Sequence, residues 1–397
     1  MLDNNGYANY PFQKNEFIIA AGVKKEIRIA NDGDAFHQFE KFKNENKNEF
    51  IFGFFTYDLK NEIEKLSSIN PDYIDFPALY FFIPQHIVKI NSASIEIKSD
   101  TVNEILDAIK NCNSDLISNQ KKSIQFNQRT SKAQYISDVN ALKEHIRNGT
   151  IYEINYCQEF FAEDVVINPI EIFRKLNTKN GGSFSSYFKL NKLHALCTSP
   201  ERFICKQGEK IISQPIKGTK KIGATEEENL VLKQELFNDE KERAENVMIV
   251  DLVRNDLAKS AIIGSVNVDE LFGIYSYKTV HQMISTISAI KKENINEVEI
   301  IKNAFPMGSM TGAPKYTTMQ LIEKYEKIKR GLYSGSIGYF EPNGDFDFNV
   351  VIRTLLYNEA KKYLSYSTGS AITLDAEAEK EYEECLLKAT SLFEIFN

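Results

Sequence analysis

The sequence predicts a mixed α/β (α+β) protein whose sheets are largely antiparallel. Strand-like runs follow one another across turns in the first hundred residues, and two later segments carry hairpin signatures. The regular strand–helix–strand rhythm that parallel crossovers require is missing. Of 397 residues, 42% are hydrophobic and 26% charged, an ordinary balance for a chain able to bury a substantial core.

"EFIFGFFTYDL" at 49–59 and "ALYFFIPQHIVKINSASIEIK" at 78–98 are apolar runs broken by turns. The polar stretch "NCNSDLISNQKKSIQFNQRTSK" at 111–132 offers few core-forming residues. It predicts a connection between an N-terminal subdomain, 1–125, and a larger domain, 126–397. "RFICKQGEKIIS" reads as a hairpin folded at Gln207-Gly208, and "GYFEPNGDFDFNVVIRTLLY" as one turning at Asn343-Gly344. In the second strand of the latter, Phe346, Phe348, Val350 and Ile352 share a face. That alternation sets Arg353 on the other face with Asp347 and Asn349.

Two helices follow from periodicity. In "NDEKERAENVMIVDLVRND", 238–256, Asp239 and Glu242 form a capping box, and Ala244, Val247, Met248, Asp251 and Leu252 keep helical spacing. In "DAEAEKEYEECLLKATSLF", 375–393, Ala378, Tyr382, Cys385, Leu386, Ala389 and Leu392 form the stripe to be buried.

Bulk properties exclude several classes. A net charge of −7 supplies no broad basic face for nucleic acid. The five cysteines are odd in number without CxxC spacing, and the five histidines show no ligand spacing, so neither zinc nor a disulfide framework is expected. No long apolar run exists, and "MLDNNGYANY" lacks the basic and apolar regions of a signal peptide, so a cytoplasmic protein without a membrane span is expected.

Candidate chemistry gathers at a few places. "QPIKGTKKI", 214–222, sets Lys217 between a proline and a Gly-Thr pair, a setting suited to close backbone approach to a ligand. Folding the first hairpin brings Glu201 of "SPERF" to within about 5–10 Å of Lys217. Taken alone, such a pair is also an ordinary cross-strand ion pair. Glu242 with Glu245, and Glu381 with Glu384, are acidic i,i+3 pairs on separate helices, with Lys388 a turn beyond Glu384. Jointly they could hold Mg²⁺, which takes few carboxylates and keeps positions for waters and substrate oxygens. Each pair is equally compatible with a solvated face. "FPMGSMTGAPK", 305–315, is a small-residue loop able to offer N–H groups to a carboxylate, although it lacks the Walker spacing. "STGSAIT", 367–373, is a second small-residue segment, at a strand end.

Taken in order, "SPERF", "PIKGT", "DEKERAENVMIVDLVRND", "FPMGSMTGAPK", "YSGSIGYF", "VVIRTLLY" and "STGSAI" with "EYEECLLKA" resemble the chorismate-utilising enzymes. That family includes the first components of anthranilate synthase and aminodeoxychorismate synthase, and the isochorismate and salicylate synthases. The resemblance is dense from about residue 130 onward, and "FGFFTYDLKNEIEKL" at 52–66 extends it toward the N-terminus. It implies two antiparallel sheets sandwiched between helices, with 126–397 as the chorismate-binding catalytic domain. It also implies Mg²⁺ on Glu245 and Glu384, with Glu242 and Glu381 as supporting or water-linked partners. Tyr333, Arg353, Gly369 and Lys388 correspond to binders of the substrate carboxylates. Gly218, Thr219 and Ser309 line the site, and Glu201 matches the general acid.

Most relatives carry Ala in the middle of the "PIKGT" motif, whereas the aminodeoxychorismate synthases carry Lys. The resemblance therefore implies amination of chorismate on the branch to 4-aminobenzoate and folate. Lys217, deprotonated, would attack C2 while Glu201 protonates the departing C4 hydroxyl, and ammonia would then enter at C4 and expel the lysine. The third catalytic candidate, Glu153 in "GTIYEINYC", stands where relatives have Gln or Lys. It would either hold ammonium in the pocket and take its proton, or face solvent or pair with a nearby cation. Ala371 replaces a usual Gly, and no Leu-Leu-Glu-Ser segment of the tryptophan-binding kind is found. No glutaminase or lyase module is recognised, so ammonia is expected from solution or from a separate glutamine amidotransferase subunit. The alternatives are the first component of anthranilate synthase, or an inactive family member serving as a binding subunit.

Overall fold

Strands from both halves of the sequence interleave to build two antiparallel sheets, of 11 and 10 strands among the described residues. The computed structural model describes residues 1–7, 11–12, 16–30, 33–111 and 124–396. Cys112 and most of the polar connection therefore lie outside the described residues. The four described cysteines are free and buried. No helix among the described residues is long and apolar enough to cross a membrane.

The strand Ile51–Phe55 shows how the layers form. Phe54 meets Phe188 of the other sheet with ring centroids 5.2 Å apart, and Phe55 turns the opposite way to Phe39 of the helix Ala35–Glu45, at 5.6 Å. Side chains alternate and both faces are covered, so all five residues are buried. Each ring contributes about 1.5–3 kcal/mol by leaving water. Helices Glu240–Ser260 and Glu297–Ala304 share this core with Ala35–Glu45, while Lys132–Arg147, Pro169–Asn180 and Ala378–Phe393 pack against the 11-stranded sheet. N-terminal strands complete both sheets: Ile51–Phe55 pairs with Ser336–Phe340, and Leu2–Asp3 with Phe184–Leu190.

The helix Ala378–Phe393 buries the expected stripe, with Leu386 only partly covered. Asp239 caps the helix Glu240–Ser260 by accepting from the Glu242 N–H at 3.1 Å. The buried face of that helix departs from its apolar spacing. Val247 is 41% exposed and Asp251 is exposed, while Glu245, Asn246, Ile249, Val250 and Val253 are buried. Asn246 turns inward to hydrogen bonds with Lys217 and Ser285 on neighbouring strands.

Both hairpins form, with differences in detail. Gln207 pairs with Lys210, so the first turn comprises Gly208 and Glu209, with Gly208 at φ +60°. The second returns at Gly344, φ +81°, but its returning strand ends at Asn349. The chain then leaves the 10-stranded sheet and joins the 11-stranded one at Thr354. Arg353 therefore lies in the crossing between sheets, at φ +50°, and not on an alternating strand face. Strand alternation could not reveal the change of sheet.

Candidate active site

Lys217 lies on the strand Ile216–Lys221, at the point where pairing with Val280–Ile290 slips. Ile216 faces Ile284 and Thr219 faces Gln282, so Lys217 and Gly218 together oppose a single residue. This is a β-bulge, which bends a strand and re-aims a side chain. Gly218 supplies the φ of +97° that the bulge needs, and a Cβ there would lie 3.3 Å from a Glu242 carboxylate oxygen. The Asn246 side-chain amide donates to the Lys217 carbonyl at 3.4 Å, while its oxygen accepts from the Ser285 hydroxyl at 2.6 Å.

The re-aimed ammonium reaches Glu153. Nζ donates to Oε1 at 2.7 Å, across 64 positions of sequence. Glu153 is 1% exposed, and its Oε2 is buried without a hydrogen-bond partner among the described residues. The carboxylate thus pairs with a nearby cation, Lys217, one of the alternatives expected of it. Its backbone is pinned by the Gly-rich loop: Ala313 pairs with Glu153, and a Cβ on Gly312 would lie 2.1 Å from the Glu153 carbonyl oxygen. Desolvation works against the Lys217 charge, but Glu153, Glu245 and Glu201 together raise its pKa, so it rests as an ammonium.

Glu201 occupies the turn between strands Leu193–Ser199 and Arg202–Gln207 and is 4% exposed. Burial pushes its carboxyl up to about 7, against the opposing effects of the Ser309 hydroxyl, Lys217, the Ile216 N–H and Arg353. The Ser309 hydroxyl donates to its Oε1 at 2.6 Å. This is an acid able to release a proton near neutrality. Of the loop's amides, those of Met310 and Thr311 donate to the Met307 and Gly308 carbonyls.

The acidic pairs converge on the same side. Burial raises Glu245 to about 7, Lys217 opposing and Glu153 and Glu242 adding to the rise. Glu242 is also raised, by burial and then by Asp239. Glu381 is 6% exposed and accepts from the Ser370 hydroxyl, whereas Glu384 is exposed and bound to Lys388 at 2.6 Å. Lys241 stands 3.8 Å from Glu245 and feels all four carboxylates. Among the described residues no three His, Cys, Asp or Glu side chains form a ready-made metal cage. Hard oxygen donors from two helices, two of them raised in pKa chiefly by burial, still suit a cation that shares its shell with water and substrate.

The residues expected to hold carboxylates are dispersed around this centre. Arg353 is electrostatically linked to Tyr366, Tyr277 and Glu201, and burial lowers its pKa. Lys388 donates to the Gly369 carbonyl at 2.9 Å. Gly369 lies opposite Cys157, and a Cβ would lie 2.5 Å from its sulfur. Tyr333 is 3% exposed with its hydroxyl 3.6 Å from the same sulfur. Thr219 is exposed beside the bulge.

Sequence reasoning missed the support beneath these groups. Arg330 pairs with Glu326 at 2.6 Å and donates to the Asn155 and Met310 carbonyls, while the Asn155 amide donates to the Ser309 carbonyl at 2.9 Å. The only hint was a charged residue before the Gly331 turn.

The fold brings these ionisable side chains from separate strands and helices into one region. The chain belongs to the family of chorismate binding enzymes, which it matches over residues 4–394. It is 40% identical over 282 residues to the probable chloroplastic aminodeoxychorismate synthase of Oryza sativa subsp. japonica, covering 70% of this chain. The chain spans only 31% of that rice protein's length. It is 30% identical over 390 residues to aminodeoxychorismate synthase component 1 of Bacillus subtilis (strain 168), covering 92% of this chain and 82% of that protein. The crystal structure of anthranilate synthase component I from Streptococcus pneumoniae TIGR4 superposes with a TM-score of 0.86 at 24% identity. That match covers 97% of this chain and 93% of the other, and shows a shared fold.

Proposed function

We propose that the chain replaces the C4 hydroxyl of chorismate with nitrogen, giving 4-amino-4-deoxychorismate for 4-aminobenzoate and folate synthesis. The observation that carries this reading is Lys217, turned by a bulge into a buried group of carboxylates that includes an acid of pKa about 7, Glu201. Two successive allylic displacements need such an amine and such an acid. Lys217 attacks C2 and Glu201 delivers its proton to the leaving C4 hydroxyl. Ammonia then bonds to C4, Lys217 departs from C2, and Glu201 recovers a proton from the new ammonium group. Tyr333, Arg353, Gly369 and Lys388 receive the substrate carboxylates, and Gly218, Thr219 and Ser309 line the ring. Glu245 and Glu384 would hold Mg²⁺, supported by Glu242 and Glu381; the ion, when bound, supplies countercharge for the ring carboxylate. The names of the rice and Bacillus relatives support amination, and the "component 1" name supports ammonia supply by a separate glutamine amidotransferase subunit.

The test is to incubate the purified chain with chorismate, Mg²⁺ and ammonium and weigh the product. 4-Amino-4-deoxychorismate retains the enolpyruvyl group, whereas anthranilate with free pyruvate would refute the reading in favour of the other amination. The metal arm is checked separately. Glu381→Gln should weaken Mg²⁺ binding about 10–100-fold in titration calorimetry, the range for losing a group that orients a ligand. Unaltered affinity would remove Glu381 from the metal site.

A further inference from the structure

We propose that Glu153 is the base for Lys217, taking the proton that must leave its ammonium before Nζ becomes a nucleophile. This deepens the proposed amination and rests on Lys217 being the attacking group. Lys217 is faced by Glu153 on the strand Glu153–Ala162, by Glu245 on the helix Glu240–Ser260 and by Glu201 at its turn, with Glu242 and Glu384 farther off. Among these carboxylates Glu153 makes the hydrogen bond, at 2.7 Å. Glu201 already accepts from Ser309, and Glu245 has Lys241 at 3.8 Å. The Glu153 backbone pairs with the loop that carries Gly312, and its second oxygen is buried without a hydrogen-bond partner among the described residues. A buried carboxylate with one oxygen on the amine and the other unengaged has spare capacity to become a carboxylic acid.

The step balances. A proton moves from Nζ to Glu153, and the freed lone pair forms the Nζ–C2 bond. The two ring double bonds each shift by one position, C4–O breaks, and the hydroxyl leaves as water with the proton of Glu201. After ammonia has displaced Lys217, the neutral amine regains its proton from Glu153. A tether reading predicts the opposite charge effect: if Glu153 only anchored the ammonium, removing its charge would ease deprotonation of Lys217.

The experiment follows the covalent adduct without ammonia. The chain is mixed with chorismate and Mg²⁺, quenched, and weighed intact, with the adduct mapped to Lys217 by peptide mass. Glu153→Gln should form it about 10²-fold more slowly or worse near pH 7, and recover toward pH ~10 as hydroxide takes over. Glu153→Asp should fall between the two. An equal or faster rate in Glu153→Gln overturns the inference. If that variant does not fold, Glu153→Asp decides alone: a rate and pH profile equal to the parent's overturns it. Absence of any adduct in the unaltered chain instead refutes the nucleophilic role of Lys217.

Discussion

Replacing Lys217 with alanine is expected to cut formation of 4-amino-4-deoxychorismate about 10³-fold or more, the scale on which loss of a covalent nucleophile is felt. Stability must be separated from chemistry in this variant. Lys217 is the ion-pair partner of Glu153, so its removal orphans a carboxylate that is 1% exposed. Breaking one side of a buried pair costs about 3–5 kcal/mol. The double variant Lys217→Ala/Glu153→Gln removes the stranded charge and should regain most of the lost melting temperature while remaining inactive. Mass analysis of the product checks the chemistry, including any diversion to anthranilate. Undiminished aminodeoxychorismate formation by either variant would end the nucleophilic reading of Lys217.

Glu201→Gln is expected to lose about 10²–10⁴-fold in turnover, the usual worth of a positioned general acid. The amide keeps an acceptor for the Ser309 hydroxyl, so the site should retain its shape and bind chorismate. What is lost is the proton for the leaving hydroxyl. Because burial raises the Glu201 carboxyl to about 7, the protonated form that does the work declines as pH rises through that value. The single-turnover rate of hydroxyl departure in the unaltered protein should therefore fall above pH ~7. In Glu201→Gln the residual rate should lack that limb. A variant retaining both rate and limb would move the acid elsewhere.

Much of this centre was legible in the sequence because its parts are local. The Asp239 cap, the stripe from Ala378 to Leu392 and the glycine turns all depend on residues a few positions apart. What was not legible depends on pairing at a distance. The bulge that aims Lys217 exists only in register with Val280–Ile290, and Glu153 reaches Lys217 across 64 positions. The helix Glu240–Ser260 mixes charged and apolar residues around its circumference, so its spacing did not show that Glu245 and Asn246 face inward. The Arg330–Glu326 pair is buried scaffolding that no sequence motif marked.

The position of Arg353 carries a thermodynamic consequence. Its carbonyl is held by the Thr198 N–H at 3.2 Å and the Thr198 hydroxyl at 3.0 Å, in the short crossing between the two sheets. Its guanidinium makes no hydrogen bond or ion pair among the described residues. Folding has already stripped much of the water from this cation and frozen its backbone in a left-handed conformation. A substrate carboxylate received there, as proposed, would cost the protein little further configurational entropy. On the proposed role of Arg353, conformational work done once, during folding, would be returned as affinity for a substrate carboxylate.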